Sequence, residues 1–252
     1  MKYFALLALV TASLWAQARG PAGPPPTARA AAPMDITGYW VSPVMEDWRW
    51  RMVTPLKGDA ASVPINAAGR KIVDAWDPAK EEAAGTQCKA YGAAGLMRIP
   101  GHLHITWQDE STLKIETDRG TQTRLLHFGG PVPASEQASL QGYSVARWEA
   151  PTTAPAGVPL GLAPRTGRSK SLEVITTKLR EGYLRRNGVP YSANTTLTEY
   201  FDKFREANGD EWFTITTIVT DPTYLAIPFV TTTDYKKESD GSKFKPEACS
   251  AR

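Results

Sequence analysis

All three histidines of the chain, His102, His104 and His127, fall within GHLHITWQDESTLKIETDRGTQTRLLHF, residues 101–128, among Asp109, Glu110, Glu116 and Asp118. Imidazoles beside carboxylates can hold a metal ion, move a proton, or decorate a solvated sheet face. Spacing decides part of this. The stretch reads as three short strands, 103–108, 112–118 and 121–128, joined by tight turns. Pairing through those turns sets His104 opposite Glu116, Ile105 opposite Ile115 and Trp107 opposite Leu113. On the other side Ile115 faces Arg124, Leu113 faces Leu126 and Thr112 faces His127. Alternation then gives one face with His102, His104, Lys114, Glu116, Asp118 and His127, and another with Leu103, Ile105, Trp107, Gln122, Arg124, Leu126 and Phe128.

On that grid His127 lies two strands and four residues from His104, about 16 Å away. A zinc ion needs its ligand atoms about 2 Å away on every side. His102 and His104 could share an ion with Glu116 or Asp118, but Lys114 on the same face opposes a cation, and no metal is expected. An acid/base pair between His104 and Glu116 is the candidate for catalysis, with the carboxylate orienting the imidazole. A solvated outer face of mixed charge has the same composition.

The apolar face carries the more pointed residue. Arg124, with Gln122 beside it, sits among Trp107, Ile115 and Phe128. A guanidinium turned into a core needs a carboxylate, an anionic ligand group or water, because a lone buried charge costs several kcal/mol. Glu199, in TTLTEYF, is the expected internal partner; a strand-end arginine reaching solvent is the alternative. Other chemistry is thinly represented. The chain has no GxSxG, HExxH, P-loop or GxGxxG motif, so hydrolase, zincin and nucleotide-binding readings lack support. Ser144 lies mid-strand with no histidine near it in sequence, and Asn194-Thr195-Thr196 fits a glycosylation sequon that chance also produces. No cofactor is expected.

The elements that position these residues are mostly strands. Besides the three above, candidates are 142–149, 172–177, 195–204, 211–220 and 228–236, rich in Thr, Ile, Val and aromatics and separated by turns such as Arg119-Gly120, Asn208-Gly209 and Asp221-Pro222. ITGYWVS at 36–42 is another. EDWRWRM reads as alternating aromatic and basic faces. The helical region is INAAGRKIVDAW followed by DPAKEEAAG, with Asp77 at an N-cap, Pro78 at the first helical position and Gly85 as the stop. About ten strands with short connections must bury one sheet face, by closing on themselves or by packing on a second sheet.

The first eighteen residues read as an export signal: Lys2, an apolar run from Tyr3 to Trp15 too short to span a bilayer, and Ala16-Gln17-Ala18 as a cleavage site. Residues 19–34 form a Pro/Ala-rich tether. The remaining stretch, 35–252, is long enough for one large β domain, with a Pro/Gly/Ala-rich loop at 151–170. No later segment is apolar enough to cross a membrane as a helix. The formal charge is +3, or +2 once Lys2 is removed, too mild to call for a nucleic-acid partner or an anionic membrane. Eight Trp, nine Tyr and seven Phe supply core mass and pocket wall alike. Cys88 and Cys249, an even and distant pair in an exported chain, are read as one disulfide; a two-thiol metal site is the alternative.

Two resemblances bear on the fold. Gly38-Tyr39-Trp40, a Gly-x-Trp early in the first strand, resembles what lipocalin-like barrels show. The segments QCKAYGAAGLMRIPG, GYSVARWE, SLEVITTKL, NGVPYSANTTLTEYF and IVTDPTYLAIPFVTTTDYKK are similar to a widespread family of exported, largely uncharacterised β proteins from environmental bacteria. Where relatives read PHSE, this chain has Pro190-Tyr191-Ser192-Ala193, so no histidine or glutamate role carries over. The resemblance implies export and a mainly β, antiparallel, lipocalin-like closed or partly closed barrel with one short helical segment, with a β-sandwich as the alternative. The functional expectation is a small, mainly apolar molecule, acidic or phenolic, bound inside the barrel. Trp40, Trp107 and Tyr143 would give it area, Arg124 would hold its anionic group, and Gln122 and Glu199 would lie alongside. The alternative is a cofactor-free lyase, isomerase or hydrolase working by acid/base chemistry in the same barrel.

Overall fold

The computed structural model describes residues 24–149 and 171–251. The expected export signal, the first residues of the tether, and the 151–170 loop lie outside that range. Eleven strands are described: β1 (Gly38–Val41), β2 (His102–Trp107), β3 (Thr112–Thr117), β4 (Thr123–Phe128), β5 (Tyr143–Trp148), β6 (Leu172–Thr177), β7 (Gly182–Arg185), β8 (Val189–Tyr191), β9 (Thr196–Arg205), β10 (Glu211–Thr220) and β11 (Phe229–Lys237). Nine of them close a barrel in the order β1-β11-β10-β9-β6-β5-β4-β3-β2, and β7 and β8 form a separate hairpin. The chain is therefore mainly β with a closed barrel. Every neighbouring pair in the barrel is antiparallel except β4 and β5, which run parallel.

The register of the β2–β3–β4 meander matches the turn-based pairing: His104 aligns with Glu116, Trp107 with Leu113, Ile115 with Arg124, and Thr112 with His127. Leu103, Ile105, Leu113, Ile115 and Leu126 point into the core with at most 3% of their surface exposed, because the strand period of two sends every second side chain to one face. Large side chains pack the interior. Trp40, Phe201, Phe213 and Tyr235 are all buried. Trp40 meets Phe213 edge-on at 4.6 Å and Phe213 stacks on Tyr235 at 5.0 Å. The Trp40 indole N–H donates to the Ile36 carbonyl at 2.9 Å.

Helices and the β7–β8 hairpin cover one end of the barrel. α1 (Trp48–Arg51) is a single turn, where the sequence pattern had suggested a strand. β1, which precedes it, is already flanked by β2 and β11, so no sheet edge is open to receive another strand there. α2 (Ala67–Ala75) is capped by Asn66, whose side chain accepts from the Ala68 and Gly69 amides at 2.9 and 3.0 Å. α3 (Pro78–Ala83) begins at Asp77, which accepts from Ala79 N at 3.0 Å, and ends before Gly85 in the left-handed region at φ +67°. A 3-10 turn (Gln87–Tyr91) and α4 (Ala93–Leu96) follow. Val73 of α2, Ala93 and Ala94 of α4, and Leu184, Val189 and Tyr191 of the hairpin share a core with Leu197, Val219 and Phe229 from the barrel strands. The hairpin turns at Asn187-Gly188; Gly188 has φ +80°, and a Cβ there would lie 2.3 Å from the Trp76 ring, so only glycine fits.

Cys88 and Cys249 are joined in a disulfide with a Cα–Cα distance of 5.1 Å, across 161 residues of sequence. It ties the C-terminal segment to the 3-10 turn. At the N-terminal side, residues expected to be tether make contacts of their own: Ala28 O accepts from the Trp148 indole at 2.9 Å, Arg29 N donates to Glu110 O at 3.1 Å, and Met34 joins the core. Among the described residues no helix is long and apolar enough to cross a membrane.

Candidate functional site

Arg124 from β4 is fully buried inside the barrel, and Glu199 from β9 meets it with both oxygens, at 3.1 and 2.6 Å. Thr176 Oγ1 accepts a third guanidinium hydrogen bond at 3.3 Å and is itself 2.7 Å from Ser144 Oγ. The expected partner is thus the one present, and its presence answers the charge that an anionic ligand would otherwise have met. Trp40 is core. Gln122 lies at the barrel end, donating to Gly120 O at 2.6 Å and accepting from Gln141 at 2.9 Å. Tyr143 does not line the interior: Ser144 and Ala146 do, and Tyr143 stacks outside on His127 at 4.5 Å. Burial there holds the His127 imidazole below its ordinary pKa.

His104 Nδ1 lies 3.2 Å from Glu116 Oε2, but the same oxygen is 3.0 Å from Lys114 Nζ, and the imidazole stacks flat on Tyr39 at 4.2 Å. His102 instead takes Asp118, at 2.7 Å through Nδ1, with Glu238 Oε2 3.7 Å from Nε2. The described residues contain no group of three or more His, Cys, Asp or Glu side chains placed to hold a metal ion. Trp107 lines a wide groove of about 620 Å³ with Arg29, Met34 and Asp35. The charges there are already engaged, Arg29 with Glu110 and Asp35 with Thr37, so the groove offers area without convergent unpaired groups.

Convergence occurs elsewhere, where α1, the segment after α4 and the β7–β8 hairpin meet. Arg51, Arg98 and Arg185 are each at most 6% exposed, and Arg186 lines the same pocket. Arg51 donates to Arg98 O at 2.9 Å and Ser42 Oγ at 2.7 Å, and pairs with Glu46. Arg98 pairs with Asp47 through Nη2 at 2.5 Å, leaving Nη1 buried without a partner. Arg185 donates to Ala61 O at 2.8 Å and Ser62 Oγ at 3.0 Å, lies over the Trp50 ring at 4.7 Å, and leaves Nε buried without a partner. Burial, reinforced by the Arg98 charge, brings the Arg185 guanidinium down to about 10; it stays charged near neutrality. Burial likewise lowers Arg98 and raises Glu46, whose Oε2 is also unpaired. Three buried guanidiniums, Arg51, Arg98 and Arg185, thus share this corner with the carboxylates of Glu46, Asp47 and Asp59.

The inner pocket, of about 20 Å³, has room for about one water-sized group. It shares Arg51, Ile99, Pro100 and Arg186 with an outer cavity of about 320 Å³, lined also by Met52, Tyr91, Arg119, Glu247, Ala248 and Ser250. The disulfide places that last stretch. Glu247 N donates to Asp118 O at 2.7 Å, and Gly120, at φ +74°, lets the Tyr91 ring approach to where a Cβ would clash at 2.2 Å. Sequence reading missed this cleft, because its arginines stand about fifty to ninety residues apart and only the fold gathers them. The legible signal was Arg185-Arg186-Asn187-Gly188, a paired charge at a hairpin turn. Comparison of the chain with protein-family models, with curated proteins and with solved structures gives no match.

Proposed function

We propose that this is an exported binding protein for a small, mainly apolar acid, held in the arginine cleft beside the barrel rather than in the barrel interior. One observation carries the reading: Arg98 Nη1 and Arg185 Nε are buried N–H groups of two like charges, both without a partner, in the walls of one pocket. Buried donors of charged groups call for an acceptor, and like charges facing each other call for a negative one. A carboxylate or phenolate oxygen suits the inner pocket, and an apolar body suits Met52, Tyr91, Ile99 and Pro100 in the outer one. The outer volume is in the range of small-molecule sites. Export is supported by the character of the first eighteen residues and by the disulfide, a bond that persists in oxidising compartments.

The test is calorimetric titration with a panel of aliphatic and aromatic monocarboxylates and phenols. Arg98→Gln should weaken the best acid about 10-fold or more, the worth of a charged hydrogen bond. Arg119→Ala, at a side chain 46% exposed and therefore safe for folding, should weaken it less. No binding by any acid, or unchanged affinity in both folded variants, rejects the reading.

A further inference from the structure

Two asparagines of the chain, Asn187 and Asn208, precede glycine, and that dipeptide has chemistry of its own. The glycine amide nitrogen can attack the asparagine Cγ, closing a cyclic succinimide and releasing ammonia, and water then opens the ring to aspartate or isoaspartate. The reacting atoms belong to one chain, so local geometry decides the rate, and glycine presents no side chain to hinder the attack. Both dipeptides sit at hairpin turns, and the fold treats them oppositely. Asn187 is fully buried. Its Nδ2 donates to Leu56 O at 2.9 Å and to Asp59 O at 2.8 Å, and its Oδ1 is buried without a partner among the described residues. Gly188 is packed on the Trp76 ring. The leaving nitrogen is thus tied to two carbonyls, no donor polarises the carbonyl to be attacked, and the neighbouring peptide has no room to turn.

Asn208, between β9 and β10, has the reverse on every count. Residues 204–209 are all exposed. Asn208 Oδ1 accepts from Asp210 N at 2.9 Å, and Nδ2 donates to Asp210 Oδ2 at 3.0 Å. The Asp210 N–H polarises the Cγ carbonyl and stands where charge develops on Oδ1 in the tetrahedral intermediate. Nothing lies within 4 Å of the place where a Gly209 Cβ would be, so the Gly209 peptide is free to turn. What must give way is the bond from Gly209 N to Glu206 O at 2.9 Å, in an exposed turn whose opening is a local event.

We propose that Asn208 is a deamidation site of the folded protein, and that the same fold holds Asn187 inert. In the step, Gly209 N gives its proton to solvent and bonds Asn208 Cγ. The Cγ–Nδ2 bond breaks, and the nitrogen leaves as ammonia with a proton taken from water. One further water adds at either ring carbonyl, giving aspartate or isoaspartate at position 208. Both products loosen the hairpin tip. The new carboxylate replaces an N–H donor beside Asp210 Oδ2, the oxygen that also pairs with Lys236 of β11 at 2.6 Å, so like charges meet there. Isoaspartate in addition puts an extra carbon into the main chain between Glu206 and Asp210, whose bond from Glu206 N to Asp210 O at 2.9 Å closes the tip.

The test is incubation of the folded full chain at mildly alkaline pH, which ionises more of the Gly209 amide, beside the same chain in concentrated urea, with peptide mass spectrometry at intervals. The peptide holding Asn208 should gain the mass of an amide-to-acid change and separate into aspartate and isoaspartate forms. In the folded chain Asn187 should lag Asn208 by about a hundredfold or more, the gap between a local opening and a global one. In urea the two rates should converge. Folded protein that keeps Asn208 intact while the urea sample converts overturns the proposal, as do equal rates at the two sites in the folded chain. Aspartate without isoaspartate overturns the succinimide route. Aged protein, separated from fresh protein by its added charge, should exchange the Glu206 amide hydrogen faster; equal exchange overturns the loosening of the tip.

Discussion

Arg124 and Glu199 reach toward each other from strands separated in the barrel by β5 and β6, and close a two-pronged ion pair with neither side chain exposed. Removing one member strands the other's charge in the core. Arg124→Leu and Glu199→Leu should each destabilise the protein by about 3–5 kcal/mol, while the double substitution should return much of that loss, since a desolvated pair is roughly balanced by apolar replacements. Urea unfolding of the three variants decides it. Additive losses in the double variant would mean that the two groups are not coupled.

The disulfide has a structural and a functional arm. Cys88→Ala/Cys249→Ala frees a closure of 161 residues, worth about 5 kcal/mol on the chain-entropy model. Because Glu247, Ala248 and Ser250 form part of the outer cavity wall, the variant should also weaken acid binding at temperatures where it remains folded. Denaturant midpoints and calorimetry measure the two arms separately.

Glu211 gives the fold a pH dependence of predictable sign. Its hydrogen bond to Lys237 (3.1 Å), with the Lys203 charge close by, holds the carboxyl down to about 2. A carboxylate with a lowered folded-state pKa stabilises the protein above its unfolded value, near 4.3, and that contribution disappears as pH falls toward about 2. Melting curves from pH 6 to pH 2 should therefore fall less steeply in Glu211→Gln than in the wild type through that window. Parallel curves would assign the acid sensitivity to other groups.

The barrel was legible where hairpins set the register. In the β2–β4 meander, tight turns leave only one alignment that buries Ile105, Ile115 and Leu126 together, so even the inward direction of Arg124 and its partner Glu199 could be read. β5 was not legible in the same way. It pairs with β4 in parallel, across a connection that is not a hairpin, so no hairpin fixes its phase. With Tyr143 and Val145 on one face and Ala146 and Trp148 on the other, both faces look apolar, and Tyr143 was expected inside. EDWRWRM misled for a related reason: alternation over four residues does not exclude one helical turn, and only the occupied edges of β1 rule out a strand. The arginine cleft lay beyond any local pattern, because residues 51, 98 and 185 acquire a common pocket only when α1, the post-α4 segment and the hairpin are stacked over the barrel.

The way the sheet closes has a consequence for how the chain matures. β1 meets β11 through Trp40 and Val41 against Lys237 and Lys236, partners far apart in sequence with every other barrel strand between them. Such a seam cannot knit until β11 has been made, and the loop entropy it must overcome makes its formation late and slow. Until then β1 and β11 each present an unzipped margin, which places the period of greatest aggregation risk in the nascent and refolding chain.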